Sequence, residues 1–185
     1  MGIDGCIESN LTLVGYWSTE NIESLKGWWI HPKLLVRKGF YGDKKEKVVK
    51  YLRSGCLVFS YAGCSSCRLD STIPDEVMGS GELTDGYWLW PEGLAVYVER
   101  FDVILPAEFL AYMSDNDYVP GKFILDPDDV VPVWGFWIGW CSAMKQTMNC
   151  DGINAPWRLP DYDDYENEIV ILQCPNPANS GTEED

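Results

Sequence analysis

Gly86-Tyr87-Trp88-Leu89-Trp90-Pro91-Glu92-Gly93-Leu94-Ala95-Val96-Tyr97-Val98-Glu99-Arg100-Phe101 changes its period in the middle. Gly86 to Trp90 reads as a short strand, entered through the turn signal Asp85-Gly86. Pro91 suits the first turn of a helix, because its missing N–H is one the helix would leave unpaired anyway. The helix is predicted to run to about Phe101, with Leu94, Tyr97, Val98 and Phe101 on one face. A strand leading straight into an amphipathic helix predicts helices laid on a sheet.

Working outward, Pro106 repeats the device and predicts a helix through about Met113, with a loop at 114–121. Upstream, Asp43 opens a helix to about Arg53, where Val48, Val49 and Leu52 form the dry stripe and Gly55 stops it. Cys56 to Ala62 is predicted to be a buried strand, Leu11 to Trp17 another, and residues 63–82 a loop. Trp28-Trp29-Ile30 is a short apolar run that Pro32 ends. From Val130 to Trp140, Trp134, Phe136, Ile138 and Trp140 alternate with Gly135, Trp137 and Gly139, which predicts a strand buried on both faces. Glu168 to Gln173 is a final predicted strand. The order predicts an α+β fold: a mainly antiparallel sheet packed with two to four helices, in one domain over 1–174, followed by an acidic flexible tail at 175–185.

The chain has 185 residues, enough for a core without disulfide staples, and nine Trp, ten Tyr and six Phe to fill it. Its net charge is −15, which argues against nucleic acid and against anionic membrane surfaces, and would steer a basic partner. The charge is uneven. Lys33, Arg37, Lys38, Lys44, Lys45, Lys47, Lys50 and Arg53 crowd into residues 33–53, opposed only by Asp43 and Glu46. From Asp102 to Asp185, sixteen acids face Lys122, Lys145 and Arg158, so this part carries −13.

Seven irregularly spaced cysteines, with no apolar leader after Met1 and no apolar run near the roughly 18 residues of a membrane span, predict reduced thiols in the cytosol. Met1-Gly2 is a poor myristoylation start, because Cys6 stands where Ser or Thr is expected.

Cys64-Ser-Ser-Cys67 has the spacing of half a zinc knuckle. A second pair is missing; Cys56, Cys141, Cys150 or His31 would have to be brought in by folding. As a redox pair it lacks the following helix that would lower a thiolate pKa, since Arg68, Asp70, Ser71 and Thr72 read as loop. A cysteine nucleophile with His31, the sole histidine, is the remaining thiol chemistry. Glu82, Asp85 and Glu92 could pair for acid–base work, although Asp85 also suits a turn and Glu92 the positive end of a helix. The chain has no GxxxxGK followed by Ser or Thr, no GxGxxG after a strand, no HExxH and no GxSxG. No cofactor is predicted.

Asp161-Tyr162-Asp163-Asp164-Tyr165-Glu166-Asn167-Glu168 packs five acids and two tyrosines into eight residues. Carboxylates pair with Arg and Lys of a partner, and tyrosines supply rigid contact area. Asp161, Tyr162, Asp163, Asp164, Tyr165 and Glu166 are therefore candidate partner contacts, and Asp126, Asp128 and Asp129 could extend the surface. The alternative for these acids is a solvated loop. Neither run has the spacing of an EF-hand calcium loop.

The run Glu82-Leu83-Thr84-Asp85-Gly86-Tyr87-Trp88-Leu89-Trp90-Pro91-Glu92-Gly93-Leu94-Ala95-Val96-Tyr97-Val98-Glu99, followed by Leu105-Pro106-Ala107-Glu108-Phe109, resembles a group of small bacterial proteins. Their shared signature is eLTDG-x-W-x-WPEGLahYVe and then LP-x-EF. Trp29 to Pro32, Tyr51 to Gly55 and Cys67-Arg68 are similar too, so the likeness covers about residues 28–113. That group frequently has His where this chain has Val96 and Phe101, a departure that counts against a metal at Cys64 and Cys67. The resemblance implies an immunity-type protein of the bacterial cytoplasm that neutralises a cognate toxin in competition between bacteria, and the acidic C-terminal half implies a basic surface on that toxin. The alternatives are a metal- or thiol-dependent enzyme using Cys64, Cys67 and His31, or a regulatory interaction module without a toxin.

Overall fold

The turn that opens the quoted stretch is built from its own side chains. Thr84 Oγ1 accepts from Gly86 N–H and donates to the Trp88 carbonyl. Asp85 Oδ1 accepts from the N–H groups of Tyr87 and Trp88 at 2.9 and 2.7 Å. Gly86 takes φ +94°, which costs a residue without Cβ nothing. The computed structural model describes residues 9–19, 28–122 and 125–150.

The elements are β1 (Ser9–Leu13), α1 (Lys45–Arg53), β2 (Cys56–Ser60), α2 (Asp75–Met78, a single turn), β3 (Gly81–Thr84), β4 (Trp88–Pro91), α3 (Leu94–Phe101), α4 (Ala107–Asp115), β5 (Val130–Val133) and α5 (Gly135–Cys150). The fold is α+β, one domain around a five-stranded sheet in the order β2-β3-β4-β1-β5. The sheet is mixed: β2–β3–β4 pair antiparallel, β4–β1–β5 parallel.

The register Leu83↔Trp90 and Thr84↔Leu89 separates the two faces. Leu83 and Trp90 belong to the main core with Tyr51, Leu52, Leu94, Tyr97, Val98, Phe109 and Trp137, where α1, α3, α4 and α5 contribute. Leu89 joins Leu11, Leu13, Val58 and Val130 in a smaller cluster on the reverse face. Trp90 is fully buried and donates its Nε1–H to the Leu52 carbonyl at 3.0 Å, so the last turn of α1 is pinned to the sheet.

Five expectations change. Pro91 does not open the helix: it closes β4, and α3 begins only at Leu94 after a turn through Glu92 and Gly93. Val130 to Trp140 is not one strand: β5 ends at Val133 and α5 starts at Gly135. Trp137, Cys141, Lys145 and Met148 are buried at steps of four, four and three, a helical stripe that continues beyond Trp140, where the alternation stops informing. β2 lies at the sheet edge and is only partly buried; Leu57 is 61% exposed. β1 stops at Leu13, because Gly15 with φ +85° turns the chain. The span expected as loop at 63–82 contains α2 and the start of β3. The predicted strand at Glu168 to Gln173 and the tail at 175–185 lie outside the described residues.

Candidate functional site

Beyond the end of β1 the chain runs over the sheet through Gly15, Tyr16 and Trp17, and leaves an open cleft of about 250 Å³. Glu82 of β3 lines it with Tyr16, Trp29, Tyr61, Arg68 and Tyr97. Alternation places Glu82 on the strand face opposite Leu83, and Trp17, Met78, Leu94 and Tyr97 of the main core also line the cleft. Two glycines among the lining residues allow close packing around it. A Cβ on Gly15 would stand 2.7 Å from Leu94 Cδ1, and one on Gly93 2.7 Å from Met78 Cε.

Among the described residues, Glu82 is the one carboxylate that lines the cleft. Burial pushes its carboxyl up, and the Tyr16 and Tyr61 hydroxyls pull it part of the way back. Tyr16 is itself pushed up, first by burial and then by the Glu82 charge. Tyr16 Oη is buried beside Glu82 and acts on it through both charge and a loosely shaped hydroxyl contact. Tyr61 is 55% exposed and stands at the mouth.

Aromatic rings continue outward. Trp29 stacks on Trp134, with centroids 5.6 Å apart and planes at 14°, and Tyr16 tilts against both. Trp28, next to this group in sequence, is 66% exposed. Arg68 stands on the wall shared with a shallower cleft that His31, Lys33, Val36, Leu69 and Phe101 line. Its backbone N–H donates to Tyr97 Oη at 3.0 Å and its Nη1 to the Ser66 carbonyl at 2.8 Å.

The acids singled out in sequence do not converge. Asp85 is 1% exposed and spent on the turn, where Tyr51 Oη also donates to it at 2.6 Å. Glu92 does not sit on the helix start. Its Oε2 accepts from the N–H groups of Ser80 and Gly81 and fastens the approach to β3. Glu82 alone reaches the cleft, and the signal available in sequence was its position at the head of the Leu-Thr-Asp-Gly turn.

The thiols are scattered as well. Cys64 is exposed, Cys67 is buried, and neither lines either cleft. Burial pushes the Cys141 thiol up to about 12. His31 Nδ1 accepts from Lys33 N–H at 3.2 Å, capping the short 3₁₀ turn Pro32–Leu35. Its pKa is lowered, first by burial and then by Lys33 and Arg68. Among the described residues no three of His, Cys, Asp and Glu are grouped to hold a metal ion, and no helix is long and apolar enough to cross a membrane.

Asp126 and Asp128 are exposed and Asp129 is half-buried, just ahead of β5. Asp126 Oδ1 accepts from Asp128 N–H at 3.0 Å and so caps the 3₁₀ turn Pro127–Asp129. Asp161, Tyr162, Asp163, Asp164, Tyr165 and Glu166 lie outside the described residues. No protein-family model, curated protein or solved structure matches the chain.

Proposed function

We propose that this is an immunity-type protein of the bacterial cytoplasm, which neutralises a cognate toxin by binding it directly. The observation that carries the reading is an open, aromatic-rimmed cleft with one carboxylate, on a chain of net charge −15. Tyr and Trp beside a carboxylate are the residues from which protein-binding hot spots are made, and the surplus negative charge speeds encounter with a basic partner. The family resemblance of residues 28–113 points the same way. Asp126, Asp128 and the acidic run at 161–166 extend the contact surface in this reading.

Co-expression with the toxin encoded beside this chain's gene tests it. Wild type is expected to restore growth and co-purify with the toxin. Reversing Asp161, Asp163 and Asp164 to Lys is expected to weaken the complex most at low salt. Failure of wild type to protect or to bind defeats the reading. Protection and binding that ignore the triple reversal leave the reading standing and remove the 161–166 contacts.

A further inference from the structure

We infer that the Glu82 cleft is a receptor for the guanidinium or ammonium group of a basic side chain presented by a partner protein. The inference rests on the binding reading above and gives it a specific occupant. Three observations converge. Glu82 is partly buried, and no cation of the described residues forms an ion pair with it. Tyr16 Oη is buried beside it, interacts with the Glu82 carboxylate and makes no other hydrogen bond among the described residues. Trp29, Tyr61 and Tyr97 put ring surfaces on the same walls.

Each feature is costly alone and is relieved by one ligand chemistry. A buried carboxylate wants a compensating positive donor. A buried phenol whose O–H faces a carboxylate still has an oxygen lone pair open to a donor. Aromatic faces attract a cation through their quadrupole, most strongly where water is thin. A guanidinium has enough N–H groups to serve Glu82 and Tyr16 together while lying flat on a ring. An anion would meet the Glu82 charge, and a neutral amide would leave that charge unpaired. Arg68 also lines the cleft and its Nε is buried without a hydrogen-bond partner, but its Nη1 donates to the Ser66 carbonyl and it makes no ion pair with Glu82 among the described residues. The cleft volume of about 250 Å³ takes one long side chain and not a folded segment.

The test uses the full chain and needs no toxin. N-acetyl-arginine methylamide is titrated against it while the tryptophan indole N–H signals are followed by NMR. A saturable shift of selected indole signals is expected, with a dissociation constant on the order of 1 mM for a ligand of this size. The isosteric neutral probe N-acetyl-citrulline methylamide and the anionic probe N-acetyl-glutamate methylamide are expected to bind at least about tenfold more weakly. Glu82→Gln is expected to lose about tenfold, while Glu108→Gln, an exposed acid on α4, changes nothing. Trp29→Ala, at the cleft mouth, provides a second variant with a loss of binding. No saturable shift in wild type, equal binding of the citrulline probe, or unaltered binding by both Glu82→Gln and Trp29→Ala overturns the inference. A positive titration without toxin protection removes the immunity reading and keeps the cleft. Protection with a negative titration does the reverse.

Discussion

Tyr51 of α1 donates a 2.6 Å hydrogen bond to Asp85 Oδ2 in the β3–β4 turn, across 34 residues of sequence. Both residues are buried, so this bond joins the helix layer to the sheet where water does not compete. Tyr51→Phe keeps the ring against Trp90 and Phe109 and leaves Asp85 two backbone donors. It is expected to cost about 1.5–3 kcal/mol in urea unfolding, as for a hydrogen bond to a charged group. Asp85→Ala strands the Tyr51 hydroxyl and two turn N–H groups at once, and is expected to cost more, about 3–5 kcal/mol. Equal costs for the two variants would show that the turn does not depend on Asp85 beyond the Tyr51 bond.

Gly15 is held by two separate demands. Its φ of +85° is strained for any residue with a Cβ, and that Cβ would stand 2.7 Å from Leu94 Cδ1 and Cδ2. Gly15→Ala is expected to destabilise the fold by about 2–4 kcal/mol, the backbone strain being about 1–2 of it. In a Leu94→Ala background the clash is gone and only the backbone cost remains. The double-mutant cycle by chemical denaturation therefore reads the clash directly. An unaltered Gly15→Ala cost in that background would place the whole effect in the backbone.

Asp102 ends α3 in the left-handed region, φ 51°, and faces Lys45 Nζ at 2.8 Å and Gly39 N–H at 3.1 Å. Burial pushes its carboxyl up, but the Lys45 bond, the Gly39 bond and the Lys45 charge outweigh that, and the net shift is downward. A depressed carboxylate pKa contributes stability above the unfolded value, about 3.9, and loses it as pH falls through the folded value. Asn tolerates the left-handed conformation, so Asp102→Asn isolates the charge. The variant is expected to be less stable than wild type by about 0.5–1 kcal/mol at pH 7 and low salt. The difference is expected to vanish below about pH 3 and to shrink in 1 M salt. A difference independent of pH would assign the effect to shape instead of charge.

Much of the fold was legible because local chemistry and tertiary packing agree there. The helices at 45–53, 94–101 and 107–115 each carry an apolar face that is buried in the core, although the start signal Pro91 fell in the strand before its helix. β3 was hidden because Gly81-Glu82-Leu83-Thr84 is short and flanked by glycine and turn residues, so its strand state comes from pairing with β2 and β4. The cleft was hidden for a related reason. Tyr16, Trp29, Tyr61 and Glu82 come from separate segments, and no spacing rule links them. Asp85, the acid with the strongest local signal, turned out to serve the turn. Glu82, whose sheet register against Phe59 and Pro91 sequence does not reveal, is the acid left facing the cleft.

The reversal at Val130 to Trp140 has its own test in Gly139. Alternating large residues and glycines suited a strand, yet Gly139 lies in the second turn of α5, and a Cβ there would meet nothing within 4 Å. Glycine in a helix interior costs about 0.5–1 kcal/mol against alanine, because its unfolded chain has more freedom to lose. Gly139→Ala is therefore expected to stabilise the protein by about that amount, seen as a higher urea midpoint with unchanged slope. Alanine has low strand propensity, and on a strand buried on both faces its methyl group would have to displace packed neighbours. A loss of stability in Gly139→Ala would return this segment to the sheet; a gain places it in the helix that carries Trp137 to the carbonyl of Tyr16, 2.8 Å away at the cleft's edge.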